Sequence, residues 1–141
     1  MAKSSAGYSG TPLWKKLGIK PDSTVLTINA PTGYRGLLPG IPKGVRFATA
    51  ADPPLGFVHL FVTTLADLGA QLPALKSTLA PDGVIWVSWP KKASGVKTDV
   101  TEDGIRAAAL PLGLVDVKVC AVDATWSGLK LVIRVENRSK A

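Results

Sequence analysis

Apolar residues in this chain fall into short unbroken runs separated by stretches of helical period, and that contrast predicts the elements. Residues 57–62, Phe-Val-His-Leu-Phe-Val, and 84–87, Val-Ile-Trp-Val, are too short for buried helices. They have the length of strands covered on both faces. Pro81-Asp82-Gly83 predicts a turn that launches the second run, and Pro90 ends it, because proline has no N–H for a sheet ladder. Between the two runs Leu65, Leu68, Leu72, Leu75 and Leu79 recur every three or four residues, behind a capping-box-like Thr64 and Asp67. That spacing predicts a helix, interrupted or kinked at Pro73. A second helix is expected where Thr101, Glu102 and Asp103 favour a helix start, with Ile105, Ala108, Ala109 and Leu112 on its buried side and Pro111 with Gly113 closing it.

The remaining pattern is more strand than helix. Residues 24–29 are rich in β-branched side chains and read as the first strand, and residues 45–48 as a short second one. Residues 114–122 alternate in part, and a loop at 124–128 lets 129–135 return as an antiparallel hairpin at the sheet's edge. Near the start Thr11 reads as an N-cap with Pro12 at the first helical position, Leu13, Trp14 and Leu17 apolar, and Gly18 as the stop. A further short helix is expected over 35–38, while residues 1–8 and 136–141 are expected to be loose. Strands and helices alternate until the final hairpin. The expected fold is therefore α/β: a mostly parallel Rossmann-like sheet of about six strands with flanking helices, in one domain over 1–141.

Composition narrows the function classes. The 141 residues are 46% hydrophobic and 19% charged, ordinary for a globular domain. One cysteine, Cys120, can form neither an internal disulfide nor a metal cluster, and its apolar surroundings predict a buried thiol. No apolar run reaches the roughly 20 residues of a membrane span, and the first residues lack a signal peptide's apolar segment, so the expected location is the cytoplasm. Seventeen Lys and Arg against ten Asp and Glu give +7, which suits a polyanionic partner. The cations are spread along the sequence, however, with only Lys15, Lys16, Lys20 and Lys91, Lys92, Lys97 grouped. Such dispersion argues for a local anion site over a nucleic-acid surface.

A sheet wound as expected releases the loops after residues 29, 62, 87 and 122 on one edge, where open α/β sheets place their ligands. That would gather Asn29, Gly33, Tyr34, Thr63, Trp89, Lys91, Lys92, Ser94, Trp126, Ser127 and Lys130. Indoles, ammonium groups and hydroxyls together suit a ligand with a planar part and an anionic part, such as a nucleotide or a phosphorylated metabolite. His59, mid-strand among apolar residues, reads as a hydrogen-bonded structural histidine, Trp86 as core, and Asp99, Glu102 and Asp103 as helix caps. No metal-ligand spacing and no Ser-His-Asp set is readable.

Three stretches resemble the class I S-adenosylmethionine-dependent methyltransferase fold. Val25-Leu-Thr-Ile-Asn-Ala-Pro-Thr-Gly33 looks like that family's first strand and loop, residues 57–62 like its fourth strand, and Leu79-Ala-Pro-Asp-Gly-Val-Ile-Trp86 like the Leu-x-Pro-Gly-Gly approach to its fifth. The resemblance implies S-adenosylmethionine as cofactor, with Asn29, Gly33 and Thr63 against it. Its Gly-x-Gly-x-Gly loop is reduced to one glycine, Gly33; Thr49-Ala50-Ala51 stands where an acid usually grips the ribose; and one helix and one strand are missing between Ala48 and Phe57. Over the whole chain Tyr8-Ser-Gly-Thr-Pro-Leu13, Trp86-Val-Ser-Trp-Pro-Lys-Lys-Ala-Ser-Gly95 and residues 116–130 are similar to a family of small bacterial proteins of uncharacterised function. Together these point to a degenerate, non-catalytic binding module for an anionic small molecule or nucleotide. A divergent methyltransferase is one alternative and a nucleic-acid-associated basic protein another.

Overall fold

The computed structural model describes residues 11–50 and 52–137. Six strands form one sheet in the order β2-β1-β3-β4-β6-β5, comprising β1 (Thr24–Ile28), β2 (Arg46–Ala48), β3 (Leu55–Phe61), β4 (Leu79–Pro90), β5 (Leu114–Ala121) and β6 (Trp126–Ile133). Strands β2, β1, β3 and β4 are parallel, and β6 runs antiparallel between β4 and β5. The strand order reverses between β1 and β3. Right-handed crossovers on either side of such a reversal must lie on opposite faces of the sheet.

Helices α2 (Leu65–Thr78) and α3 (Glu102–Ala109) cover one face, where Leu68, Leu72, Leu75 and Ile105 meet Leu26, Val58, Leu60, Ile85, Val87, Leu129 and Leu131. The other face has a thinner cover. There α1 (Leu13–Leu17) and a 3-10 turn at Tyr34–Leu37 lie over Val25, Phe57, Phe61 and Trp86. The turn occupies the position of a full crossover helix, because residues 29–33 with Pro31 leave too little helical sequence before Pro39. Only residues 49–54 separate β2 from β3, which is too short for the missing helix and strand.

Several expectations need correction. Pro81-Asp82-Gly83 does not form a turn: β4 starts at Leu79, directly after α2, and the three residues sit inside it beside a register shift between Leu55 and Phe57. Gly83 is required there, since a Cβ would stand 2.7 Å from the Leu55 carbonyl oxygen. Pro73 does not interrupt α2, which is continuous. Pro12 is itself the N-cap of α1, with no side-chain cap from Thr11. The hairpin strand begins at Trp126, three residues before the expected start, because Asp123 closes a tight turn by accepting from the Thr125 and Trp126 amides at 2.8 Å. Val135–Asn137 form a 3-10 turn where a loose tail was expected, while residues 1–8 with the Tyr8 string, and 138–141, lie outside the described residues.

Thr101 caps α3 as expected, its hydroxyl accepting from the Gly104 amide at 3.0 Å. Glu102 and Asp103 instead hold Arg106, whose Nε also donates to Asp116 on β5 at 2.9 Å. Thr101→Ala is expected to lower stability by about 1 kcal/mol, read as a fall in the urea midpoint at unchanged slope.

Candidate functional site

The carboxyl ends of β1, β3 and β4 share one rim, and β5 ends there too, since β4 and β5 both run antiparallel to β6. Asn29 leaves β1 in the left-handed region at φ 60, and its amide donates to the Phe61 carbonyl at 3.4 Å and to Asp67 at 3.3 Å. It thus ties β1 to β3 and to the first turn of α2. The Thr63 carbonyl accepts from the Thr98 hydroxyl at 2.7 Å, and Asp99 accepts from the Leu65 amide at 2.7 Å, so residues 98–99 strap the exit of β3. Asp99 is in this sense a cap, as expected. The Ser94 hydroxyl donates to the Lys91 carbonyl at 2.6 Å and accepts from the Val96 amide, which engages it in its own 3-10 turn. The Lys91 amide donates to the Thr125 carbonyl at 2.8 Å, joining the loop after β4 to the hairpin turn.

Two of the expected neighbours are not brought together. Trp126 faces Pro90 across the β4–β6 ladder and Ser127 faces Trp89. Directly opposed residues share a face and successive ones do not, so Trp89 and Trp126 project to opposite faces. Trp89 packs against the α2–α3 core, while Trp126 packs edge-on to Phe61 at 5.0 Å on the other side. The joint indole platform is therefore not formed. Lys130 is also off the rim: it sits in mid-strand opposite Trp86, its Nζ 3.9 Å from where a Gly18 Cβ would stand.

The rim is divided into two cavities. One, of about 510 Å3, is lined by Trp89, Lys92, Lys97, Thr98 and Thr101. The other, of about 410 Å3, lies at the ends of β1 and β2 on the opposite face, between Thr27, Gly33, Tyr34, Arg35, Phe47 and Thr49. Gly33 has φ +84, with nothing within 4 Å of a Cβ, so the chain turns there beside open space. Tyr34 meets Phe47 edge-on at 6.2 Å, and the Arg35 guanidinium lies 4.5 Å over the Phe47 ring.

Behind that second cavity is a buried polar chain that sequence reading did not find. The Tyr34 hydroxyl is 2.7 Å from His59 Nδ1, and His59 Nε2 is 2.7 Å from the Ser88 hydroxyl, with Phe61 stacked on the imidazole at 4.3 Å. His59 and Ser88 are fully buried. Burial lowers the His59 pKa to about 3 and pushes the Tyr34 hydroxyl above its ordinary range. A neutral imidazole with both nitrogens engaged is a structural histidine, as its mid-strand position predicted. The available signal was period 2, which puts Phe57, His59 and Phe61 on one face; the register that aligns Ser88 with it is not in the sequence.

No family model matches the chain, and no curated protein matches it in sequence. Solved structures do. The ribosomal protein L11 methylase from Lactobacillus delbrueckii subsp. bulgaricus superposes with TM-score 0.53 at 16% identity, over 86% of this chain and 75% of that one. The O-methyltransferase NcsB1 from neocarzinostatin biosynthesis, in complex with S-adenosylmethionine and 2-hydroxy-5-methyl naphthoic acid, superposes with TM-score 0.56 at 12% identity, over 91% of this chain and 51% of that one. The chain has the class I methyltransferase-like fold, reduced by one strand and one helix, with the antiparallel C-terminal hairpin that the resemblance implied.

The 410 Å3 cavity has side chains of the kinds that could hold a nucleoside. Tyr34 and Phe47 offer ring walls, Thr27 and Thr49 offer hydroxyls, and the backbone at Gly33 is open to close approach. The lining holds no carboxylate, so a ribose would meet threonine hydroxyls instead of an acid.

Proposed function

We propose that the protein is a divergent methyltransferase whose cavity at the ends of β1 and β2 holds an adenosine-type nucleoside, S-adenosylmethionine first among them. The observation that supports this reading most is the cavity's location beside the strand-order reversal, in a fold shared with methyltransferases. The cofactor would supply an electrophilic methyl group. The chain's own residues would bind and orient: Tyr34 and Phe47, which touch edge-on, forming one aromatic wall for the base, Thr27 and Thr49 meeting the ribose, Gly33 allowing the backbone close, and Asn29 fixed by Asp67 at the crevice edge.

A second reading, a binding module for an anionic nucleotide without chemistry, is favoured by Arg35 in a cavity lined by no carboxylate. Calorimetry with S-adenosylmethionine, S-adenosylhomocysteine and adenosine monophosphate separates the two. The first reading expects both S-adenosyl compounds to bind, with Gly33→Ala weakening them about tenfold through its left-handed backbone, an energy of about 1–2 kcal/mol. Binding of the monophosphate alone, lost in Arg35→Gln, would replace the first reading with the second. Silence from all three at millimolar concentration would end both.

A further inference from the structure

The basic residues that look dispersed in sequence converge on the face away from α2 and α3. Lys118 of β5 stands directly opposite Lys130 of β6, and its ammonium donates to the Lys16 carbonyl at 3.1 Å. Lys15, Lys16 and Lys118 line one open cavity of about 620 Å3 with Cys120. Lys130 Nζ lies 3.9 Å from where a Cβ on Gly18 would stand, two residues before Lys20. Among the described residues no carboxylate forms an ion pair with any of these five lysines.

Like charges directly opposed across an antiparallel pair destabilise it. Burial, with Lys118 and Lys20 nearby, lowers the Lys130 pKa, and the same surroundings act on Cys120, where burial raises the thiol against the pull of Lys118 and Lys16. Within the described residues the Lys118 ammonium is held by the Lys16 carbonyl, and no carboxylate offsets the charge of the five lysines, which an external polyanion would do. The row draws on three separate parts of the chain, α1 with its following loop, β5 and β6, so a polyanion that contacts all of it bridges the three.

We propose that this lysine row binds the phosphodiester backbone of a nucleic acid without reading its bases. Lysine contributes point charge and no planar fork, and among the described residues no aromatic ring lines the cavity shared by Lys15, Lys16 and Lys118, so binding is set by charge.

The test is fluorescence anisotropy of the full chain with labelled 30-nucleotide single strands and duplexes, from 50 to 200 mM salt. About four phosphate contacts on a duplex give a log–log slope near −3.5, a loss of about 100-fold across that range. Lys118→Gln with Lys130→Gln is expected to bring the slope to about −2, and Lys91→Gln with Lys92→Gln, on the rim, to leave it unchanged. A slope insensitive to the first pair, a slope that moves with the second, or binding of inorganic polyphosphate with none of either oligonucleotide would each overturn the proposal. Thermal melting adds an independent check. Relief of repulsion predicts that Lys130→Gln, which leaves the Lys118 hydrogen bond to the Lys16 carbonyl in place, melts no lower than the parent, and a lower melting point would mark the pair as structural and sink the idea.

Discussion

Replacing Trp86 with alanine is expected to remove about 3–5 kcal/mol of unfolding free energy, a large share of the 5–15 kcal/mol typical of a domain this size. The indole has no exposed surface. It lies at the centre of the thinly covered face, with its Cε3 3.1 Å from where a Gly128 Cβ would stand, so the ring rests on a strand that has no side chain at that point. Its Nε1 donates to the Leu17 carbonyl at 2.8 Å, at the C-terminal end of α1, which makes it the link between the central strand and the N-terminal helix. Alanine would leave a ring-sized void that neighbours on a β-sheet cannot collapse to fill, and an unpartnered buried carbonyl. Trp86→Phe separates the two effects, since it retains most of the volume and loses only the donor, for an expected cost of about 1–3 kcal/mol. Urea unfolding measures both. A loss under about 1 kcal/mol for the alanine variant would mean that the face repacks, against this account of its core.

Stability is expected to fall by about 2 kcal/mol between pH 7 and pH 5, with His59 as the cause. In the unfolded chain the imidazole titrates near its ordinary 6.5, whereas in the fold burial holds it to about 3. The folded-state pKa is the lower one, so the unfolded chain takes up the proton first as pH falls. The stabilisation is therefore complete above about pH 6.5 and is lost progressively towards pH 3, at up to about 1.4 kcal/mol per unit. Most carboxylates stay ionised above pH 5, which leaves the upper part of this window to histidine, and His59 is the one histidine in the chain. Protonation would also make both ring nitrogens donors, so whichever hydroxyl of Tyr34 or Ser88 donates to the neutral ring would have to turn and accept. Unfolding free energies of the parent and of His59→Gln, measured at half-unit steps from pH 7 to pH 5, test this. The variant is expected to be less stable at pH 7 and nearly flat with pH. A parent curve as flat as the variant's would show that the imidazole titrates normally in the fold.

The proposed site was legible only in part. Asn29, Gly33 and Tyr34 could be selected because turn formers after a β-branched strand mark where the chain leaves the sheet, and in an open α/β sheet that exit faces the ligand edge. Arg35, Phe47, Thr27 and Thr49 were not selected. They belong to different elements, and their meeting depends on a short 3-10 turn standing in place of a crossover helix. Trp89 and Trp126 were paired for a reason that holds at the level of loops and fails at the level of side chains. Their backbones do reach the same rim, but one residue of register sends two neighbouring side chains to opposite faces.

Strand number, the parallel sheet and its antiparallel finish, the buried Trp86 and the structural His59 were all determined by the sequence alone. Each follows from local properties: run length, period, β-branching, and prolines and glycines that permit few backbone conformations. What only the tertiary structure decided was every relation that passes through register. The partner of His59, the face of each rim tryptophan, the inclusion of Pro81-Asp82-Gly83 in a strand and the gathering of Lys15, Lys16, Lys20, Lys118 and Lys130 are of this kind. Period 2 makes side-chain direction a matter of parity, and a hairpin whose start moves by three residues inverts it. Charges far apart along the chain become neighbours through the same ladder, which composition and spacing cannot express.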